Sequence, residues 1–162
     1  MKQLILVRHA KSSWDAPLRD VDRPLTNKGI QDAHLVSSHI SNQIPKSFLV
    51  WSSIAKRASE TAIIFAQNIA FPIESIMFKE ELYTFDERKL EQIIKLCPND
   101  YDNLILFGHN EAICSNFFSS KVYNSSLNIM LSMGNAMFWA KIIAVSEALL
   151  AILLQTKNDF GI

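Results

Sequence analysis

Leu4-Ile5-Leu6-Val7-Arg8-His9-Ala10-Lys11-Ser12 is the stretch on which the fold turns. Four apolar residues in a row, bounded by polar ones, suit a short strand buried on both faces, as in a parallel sheet with helices on each side. The strand exits onto an arginine beside a histidine, a cation next to a nucleophile. The pattern returns at Leu104-Ile105-Leu106-Phe107, which runs into Gly108-His109-Asn110.

Working outward, Lys2 to Val7 reads as the first strand and Ala10 to Leu25, with Pro17, Pro24 and three aspartates, as a loop. Thr26 can cap a helix over about Asn27 to Ser41, whose Ile30, Ala33, Val36 and Ile40 form one apolar stripe, and Pro45 closes it. Ser47 to Trp51 is the next strand, with Ser52-Ser53 as a cap for a helix from Ile54 to Ile69. Pro72 to Phe78 reads as a short strand, and Asp86 caps a helix over Glu87 to Leu96 that stops before Pro98. After the strand Asn103 to Phe107, a helix is expected over Glu111 to Phe118. Ser119 to Met133 has no clear period. Ala136 to Val145 and Leu149 to Leu154 read as two closing strands, paired through Ser146-Glu147. Strands alternating with helices predict an α/β fold, a three-layer α/β/α sandwich with a mostly parallel central sheet, as one domain over residues 1–162.

Composition narrows the function. The 162 residues are 49% hydrophobic and 20% charged, and 16 basic side chains balance 16 acidic ones. With no net field to draw nucleic acid or an anionic membrane, any anion site must be local, so neither is expected as a partner. Cys97 and Cys114 lie among apolar residues without a CxxC spacing and read as buried, reduced thiols. The N-terminal apolar run lacks a basic flank and a cleavage site, and Ala148 to Leu154 is too short to span a bilayer, so a cytoplasmic monomer is the expectation.

Ligands of open α/β sheets sit beyond the carboxyl ends of the strands. Three exits there carry unusual side chains: Arg8 with His9, Ser53 leading to Arg57 in the first turns of a helix, and His109. Taken singly, each is more often a satisfied structural or surface residue. Together, two histidines and two arginines make a cationic pocket that suits a phosphoryl dianion. The four histidines show no HExxH-type pair for zinc, and carboxylates do not cluster around His9 or His109 as magnesium would require. Only four glycines occur, and neither GxGxxG nor GxxxxGK[ST] is present, so phosphate must be held by side chains and helix N-termini. No cofactor and no metal are expected. His34 and His39 fit no motif and read as helix-surface residues.

These segments resemble the histidine phosphatase superfamily (phosphoglycerate mutase-like), whose signature is a strand ending in R-H-[AG]. The likeness extends from Arg8-His9-Ala10 through Arg23-Pro24-Leu25-Thr26, Ser53 to Ala62, and Glu81-Leu82-Tyr83, to Gly108-His109-Asn110. The Arg-Pro-Leu-Thr block and the short chain are most similar to its SixA-like phosphohistidine phosphatase branch. The resemblance implies that His9 becomes phosphorylated and that Arg8, Arg57 and His109 hold phosphoryl oxygens, with Lys11 and Asn110 as further substrate contacts. The Pro-Gly that usually follows is here Glu111-Ala112, a departure that puts a carboxylate near the pocket.

Chemically, His9 must be neutral at the nitrogen facing phosphorus, with its other nitrogen donating to a fixed acceptor. His109 is placed to donate to the bound dianion, whose charge favours its protonated form. The leaving group needs a proton, and Glu81 is the preferred acid, with Asp15, Asp20 and Asp22 of the first loop as rivals. The leading expectation is a metal-independent phosphatase acting on phosphohistidine in a protein or on a small phosphate ester through phospho-His9. A sugar-phosphate phosphatase and a phosphate-binding module with little turnover are the alternatives.

Overall fold

The computed structural model describes residues 2–44, 47–98, 100–109, 128–133 and 136–144. β1 (Lys2–Arg8), α1 (Asn27–Ile40), β2 (Leu49–Ser53), α2 (Lys56–Asn68), β3 (Met77–Lys79), α3 (Glu87–Lys95), β4 (Asn103–Gly108), β5 (Asn128–Met133) and β6 (Ala136–Ala144) follow in that order. The six strands form one sheet in the order β3-β2-β4-β1-β6-β5, parallel throughout except for the antiparallel β5–β6 pair.

The apolar run of β1 feeds two cores at once, because successive strand side chains point to opposite faces. Ile5 and Val7 join Ile105 and Phe107 of β4 under Ala33, Val36 and Ile40 of α1 and Ala62, Phe65 and Ala66 of α2. Leu4 and Leu6 join Leu104, Leu106 and Trp51 under Leu90, Ile93 and Ile94 of α3. Each fully buried Leu or Ile contributes about 2 kcal/mol of transfer free energy, so the two-sided burial of this strand fixes its register. This is the α/β/α sandwich that the run of apolar residues predicts. Cys97 is buried in the α3 core. Cys114 lies outside the described residues.

Thr26 caps α1 as expected, its side chain accepting from the Gly29 amide at 3.0 Å. The cap also docks the helix on the exit of β1. The Thr26 amide donates to the Lys11 carbonyl at 2.9 Å, and Gly29 lies so close that a Cβ there would collide with the same oxygen. Asp86 caps α3 by accepting from the amides of Arg88 and Lys89. His39 is exposed, and His34, also exposed, has Nδ1 3.1 Å from Asn68 Nδ2, so both are helix-surface residues.

Several boundaries differ from expectation. Ser52 and Ser53 do not cap α2; they complete β2, and the cap position falls to Ala55, which has no side chain to cap with. Ser53 is thereby held in the sheet, pointing its hydroxyl toward other partners. β3 is three residues long because Ile73–Ser75 forms a 3-10 turn ahead of it. The partner of β6 is β5, from the stretch that showed no period, with Met133 opposite Ala136. Gly134-Asn135 between them in sequence is a two-residue hairpin signal. The strand expected over Leu149 to Leu154 and the helix expected over Glu111 to Phe118 lie outside the described residues. Among the described residues no helix is long and apolar enough to cross a membrane.

Candidate active site

Parallel strands β1, β2 and β4 lie side by side, so their carboxyl ends open at one edge of the sheet. There the structure brings His9, Arg57 and His109 into contact. Arg57 Nε donates to His9 Nε2 at 3.1 Å, and one of its terminal nitrogens lies 3.4 Å from His109 Nδ1. The two imidazole rings meet edge to face, 5.3 Å between centroids.

Local hydrogen bonds tie this cluster to the backbone. The Ala10 amide donates to Thr61 Oγ1 at 3.1 Å, and that hydroxyl donates to the Arg57 carbonyl at 2.7 Å. One α2 side chain thus couples the residue after His9 to the backbone of Arg57. His9 Nδ1 lies 2.8 Å from the Ala10 carbonyl. Because a carbonyl can only accept, Nδ1 carries the proton and Nε2 presents its lone pair, the arrangement in which Arg57 can donate to it. His109 follows the same logic: Nδ1 faces the arginine, so Nε2 donates to Ser53 Oγ, 3.0 Å away.

Burial and neighbouring cations keep both rings neutral. Burial first, then the charges of Arg57, Arg8 and Arg23, push the His9 pKa down to about 4, against an opposing contribution from the Ala10 carbonyl. His109, 1% exposed, is pushed down to about 3 by burial and by His9 and Arg57. The surroundings of His109 in the protein itself thus favour its neutral form, not the protonated one expected beside a dianion. Arg8 lies at the end of β1, and its buried Nε has no hydrogen-bond acceptor among the described residues.

The first loop brings Asp20, one of the three aspartates considered as rivals to Glu81, onto Arg57. Asp20 sits at the start of a 3-10 turn, Asp20–Asp22, and Arg57 donates both to its backbone carbonyl and, at 2.8 Å, to Oδ2. The same Oδ2 accepts from the Tyr83 hydroxyl at 2.6 Å, and Oδ1 accepts from Arg23 at 2.8 Å. Arg23, nearly buried, also donates to the Ser13 carbonyl and to Ser12 Oγ, with its guanidinium stacked on Trp14. Hydrogen bonds from Tyr83, Arg23 and Arg57 hold the Asp20 carboxyl well below the usual carboxylate range, while Tyr83 is raised by its bond to that carboxylate.

The remaining candidates lie farther out. Glu81 is exposed in the 3-10 turn Glu80–Leu82 that delivers Tyr83, and its carboxylate makes none of the contacts that Asp20 makes. Asp15 is exposed and accepts from Ser13, while Asp22 pairs with Arg19. Lys11 is exposed, and its carbonyl accepts from Thr26 at the cap of α1, with no hydrogen bond to the cluster among the described residues. Asn110 and Glu111-Ala112 lie outside the described residues. Phe85, 46% exposed, has its ring 5.2 Å from that of His109 and 5.8 Å from that of Tyr83.

A parallel-sheet α/β/α fold with paired neutral histidines clamped by a buried arginine defines a class of phosphoryl-handling sites. The model of the histidine phosphatase superfamily (branch 1) matches residues 4–114, and the chain belongs to that family. Solved structures assigned as the phosphohistidine phosphatase SixA resemble it. One, from Agrobacterium tumefaciens, has a TM-score of 0.62 at 25% identity and covers 70% of this chain and 73% of its own. Another, from Nakamurella multipartitia, has a TM-score of 0.60 at 26% identity and covers 69% and 61%. Among curated relatives, an uncharacterised chloroplast protein of Arabidopsis thaliana is 35% identical over 119 residues, 68% of this chain and 55% of that protein. A 2,3-bisphosphoglycerate-dependent phosphoglycerate mutase of Gloeothece citriformis is 37% identical over 67 residues, 40% of this chain and 29% of the mutase. The chain thus spans about half, or less, of the length of these two curated relatives.

Proposed function

We propose that this chain is a phosphatase that works without a metal ion, passing a phosphoryl group from its substrate to His9 and then to water. The observation that carries the reading is the fixed tautomer of His9, with Nδ1–H on the Ala10 carbonyl and the Nε2 lone pair beside Arg57. In the first step that lone pair attacks phosphorus and the bond to the leaving group breaks. Arg8, Arg57 and His109 hold the equatorial oxygens as charge shifts along the line of transfer. In the second step water attacks the phosphoryl group, the P–N bond to His9 breaks, and inorganic phosphate leaves.

We assign the general acid to Asp20 in preference to Glu81, because Asp20 is the carboxylate in contact with Arg57. In the first step Asp20 gives its proton to the leaving group; in the second its carboxylate takes one from the attacking water. Asp20 is held ionised by its hydrogen bonds; as substrate arrives the nearby dianion raises its carboxyl pKa, so it takes up a proton from solvent, and that is the proton it passes to the leaving group.

For the substrate we favour phosphohistidine in a protein over a small metabolite. The SixA-like structures support this, as does the half-exposed Phe85 ring beside His109, which suits a flat leaving group. The test is chemical trapping: protein mixed with phosphohistidine-bearing protein or with p-nitrophenyl phosphate, in excess EDTA, is quenched and digested. An alkali-stable, acid-labile phosphate on the His9 peptide is the expected product. Turnover that stops with EDTA, or that persists unchanged in His9→Ala, overturns the reading.

A further inference from the structure

Arg57, 3% exposed, has no idle face toward the pocket. Its Nε is committed to His9, one terminal nitrogen to the Asp20 carbonyl, and the other to Asp20 Oδ2 and His109. Two of these bonds go to one residue, and they are the bonds that an incoming phosphoryl group would need. Arg8 Nε, in contrast, is buried with no acceptor among the described residues. A lone carboxylate has satisfied one arginine of the pair and left the other short. A phosphoryl group, with three oxygens and two charges, has enough acceptors for both.

We infer that Asp20 is the resident anion of the site, a carboxylate that occupies Arg57 until a phosphoryl group displaces it, and that Tyr83 is the positioning residue that holds it there. The inference rests on Arg57 binding phosphate, as proposed above, and adds what binding must first undo. Little of the segment is packed into the fold. Trp14 to Arg19 are all exposed, the Asp20–Asp22 turn buries no residue, and the Asp20 side chain is 40% exposed. The loop is anchored at its base, where Ser12 pairs with Leu25 and Arg23 grips Ser12 and Ser13. Asp20 can leave Arg57 while Arg23 stays.

Tyr83 decides how firmly Asp20 is held. Its hydroxyl, coming from a different segment of the chain, makes the shortest of the contacts to Oδ2. Charged and titratable groups face the carboxylate from every neighbouring element: Arg57 from α2, Arg23 from the loop, Tyr83 from the turn before α3, and His109 from the exit of β4. Asp20 is the acidic member of that set.

The test is the affinity of the wild-type chain and its variants for inorganic phosphate, by calorimetry at pH 7. Asp20→Asn should bind phosphate about tenfold more tightly. Tyr83→Phe, which keeps every charge, should tighten binding severalfold. Asp22→Asn, which removes the same charge from the same turn but pairs with Arg19 instead of Arg57, should change the affinity less than twofold. Equal gains in Asp20→Asn and Asp22→Asn would reduce the effect to general repulsion and overturn the inference. So would unchanged or weaker binding in Asp20→Asn, and unchanged binding in Tyr83→Phe would remove the role of Tyr83. Binding is read without turnover, so tightened phosphate affinity in a protein that forms no phospho-His9 sinks the phosphatase reading alone. Phospho-His9 formed without any gain in affinity sinks only the displacement.

Discussion

Arg57 Nε donates to His9 Nε2 across 3.1 Å, so the nitrogen proposed to attack phosphorus is parked against the cation proposed to hold it. A protonated His9 could not accept that bond, and the contact therefore reports a neutral ring. Removing either partner should be costly. We expect His9→Ala to abolish phosphoenzyme formation and Arg57→Ala to lower kcat/KM for p-nitrophenyl phosphate by about 100-fold or more, as single-donor losses do at comparable sites. Steady-state kinetics in excess chelator, with circular dichroism to check folding, decide it; an Arg57→Ala enzyme within tenfold of wild type would contradict the assignment.

Acid should weaken the fold through the two buried histidines. Their folded pKa values, about 4 and about 3, lie below the ordinary 6.5. As pH falls below about 6.5 the unfolded chain takes up protons that the folded site refuses, so stability declines from there toward pH 4. Asp20 acts in the same direction but lower down, because its bonds are lost only when the carboxylate protonates. Urea melts at pH 7 and pH 5 test this. The wild type should lose more stability over that interval than a folded His109→Gln variant does, and identical losses would refute the linkage.

Thr61→Val keeps the shape of a side chain while deleting the hydroxyl that joins Ala10 to Arg57. The Ala10 amide is then buried without its acceptor, at a cost of about 1–3 kcal/mol. The expected result is a lower midpoint in denaturant together with a reduced kcat, because His9 and Arg57 lose their common tie. A stability loss with kcat intact would mean that the tie is structural only.

At Gly29 an added methyl meets the Lys11 carbonyl, a main-chain atom that cannot swing away. Alanine would otherwise favour a helix by about 1 kcal/mol, so the sign of the change is informative. Gly29→Ala should be destabilising by about 1–3 kcal/mol, as overpacked positions are. A thermal melt at or above the wild-type midpoint would show that α1 can slide off the β1 exit freely.

Phe85→Ala should separate substrates. Loss of the half-exposed ring beside His109 is expected to raise KM for aryl phosphates and phosphohistidine severalfold, and to leave alkyl phosphates nearly unchanged. A uniform change across the panel would make the ring a packing element.

The sheet and the paired-histidine pocket were legible because they are written in local pattern. Unbroken apolar runs mark β1 and β4, the one ending on Arg8 before His9 and the other on Gly108 before His109. Arg57 could be placed because the block from Ser53 to Ala62 carries helical spacing. The Asp20–Tyr83 contact was not legible: it joins residues 63 apart through a loop whose path follows no period. The first-loop aspartates could be named as rivals to Glu81, but which of them reaches the site depends on how Arg23 folds the loop. Ser53 was misread for a related reason, since a serine before a helix looks like a cap whether or not the sheet has claimed it.

His9 takes its orientation from the main chain, through the Ala10 carbonyl. No substitution can delete that acceptor, because every amino acid brings the same oxygen. Side chains of the loops and rim can therefore be exchanged while the nitrogen proposed to attack keeps its bearing. Substitutions at Arg57 or in the first loop should then disturb the proposed chemistry more readily than any change at position 10, and a variant that no longer turns over can still keep a well-aimed His9.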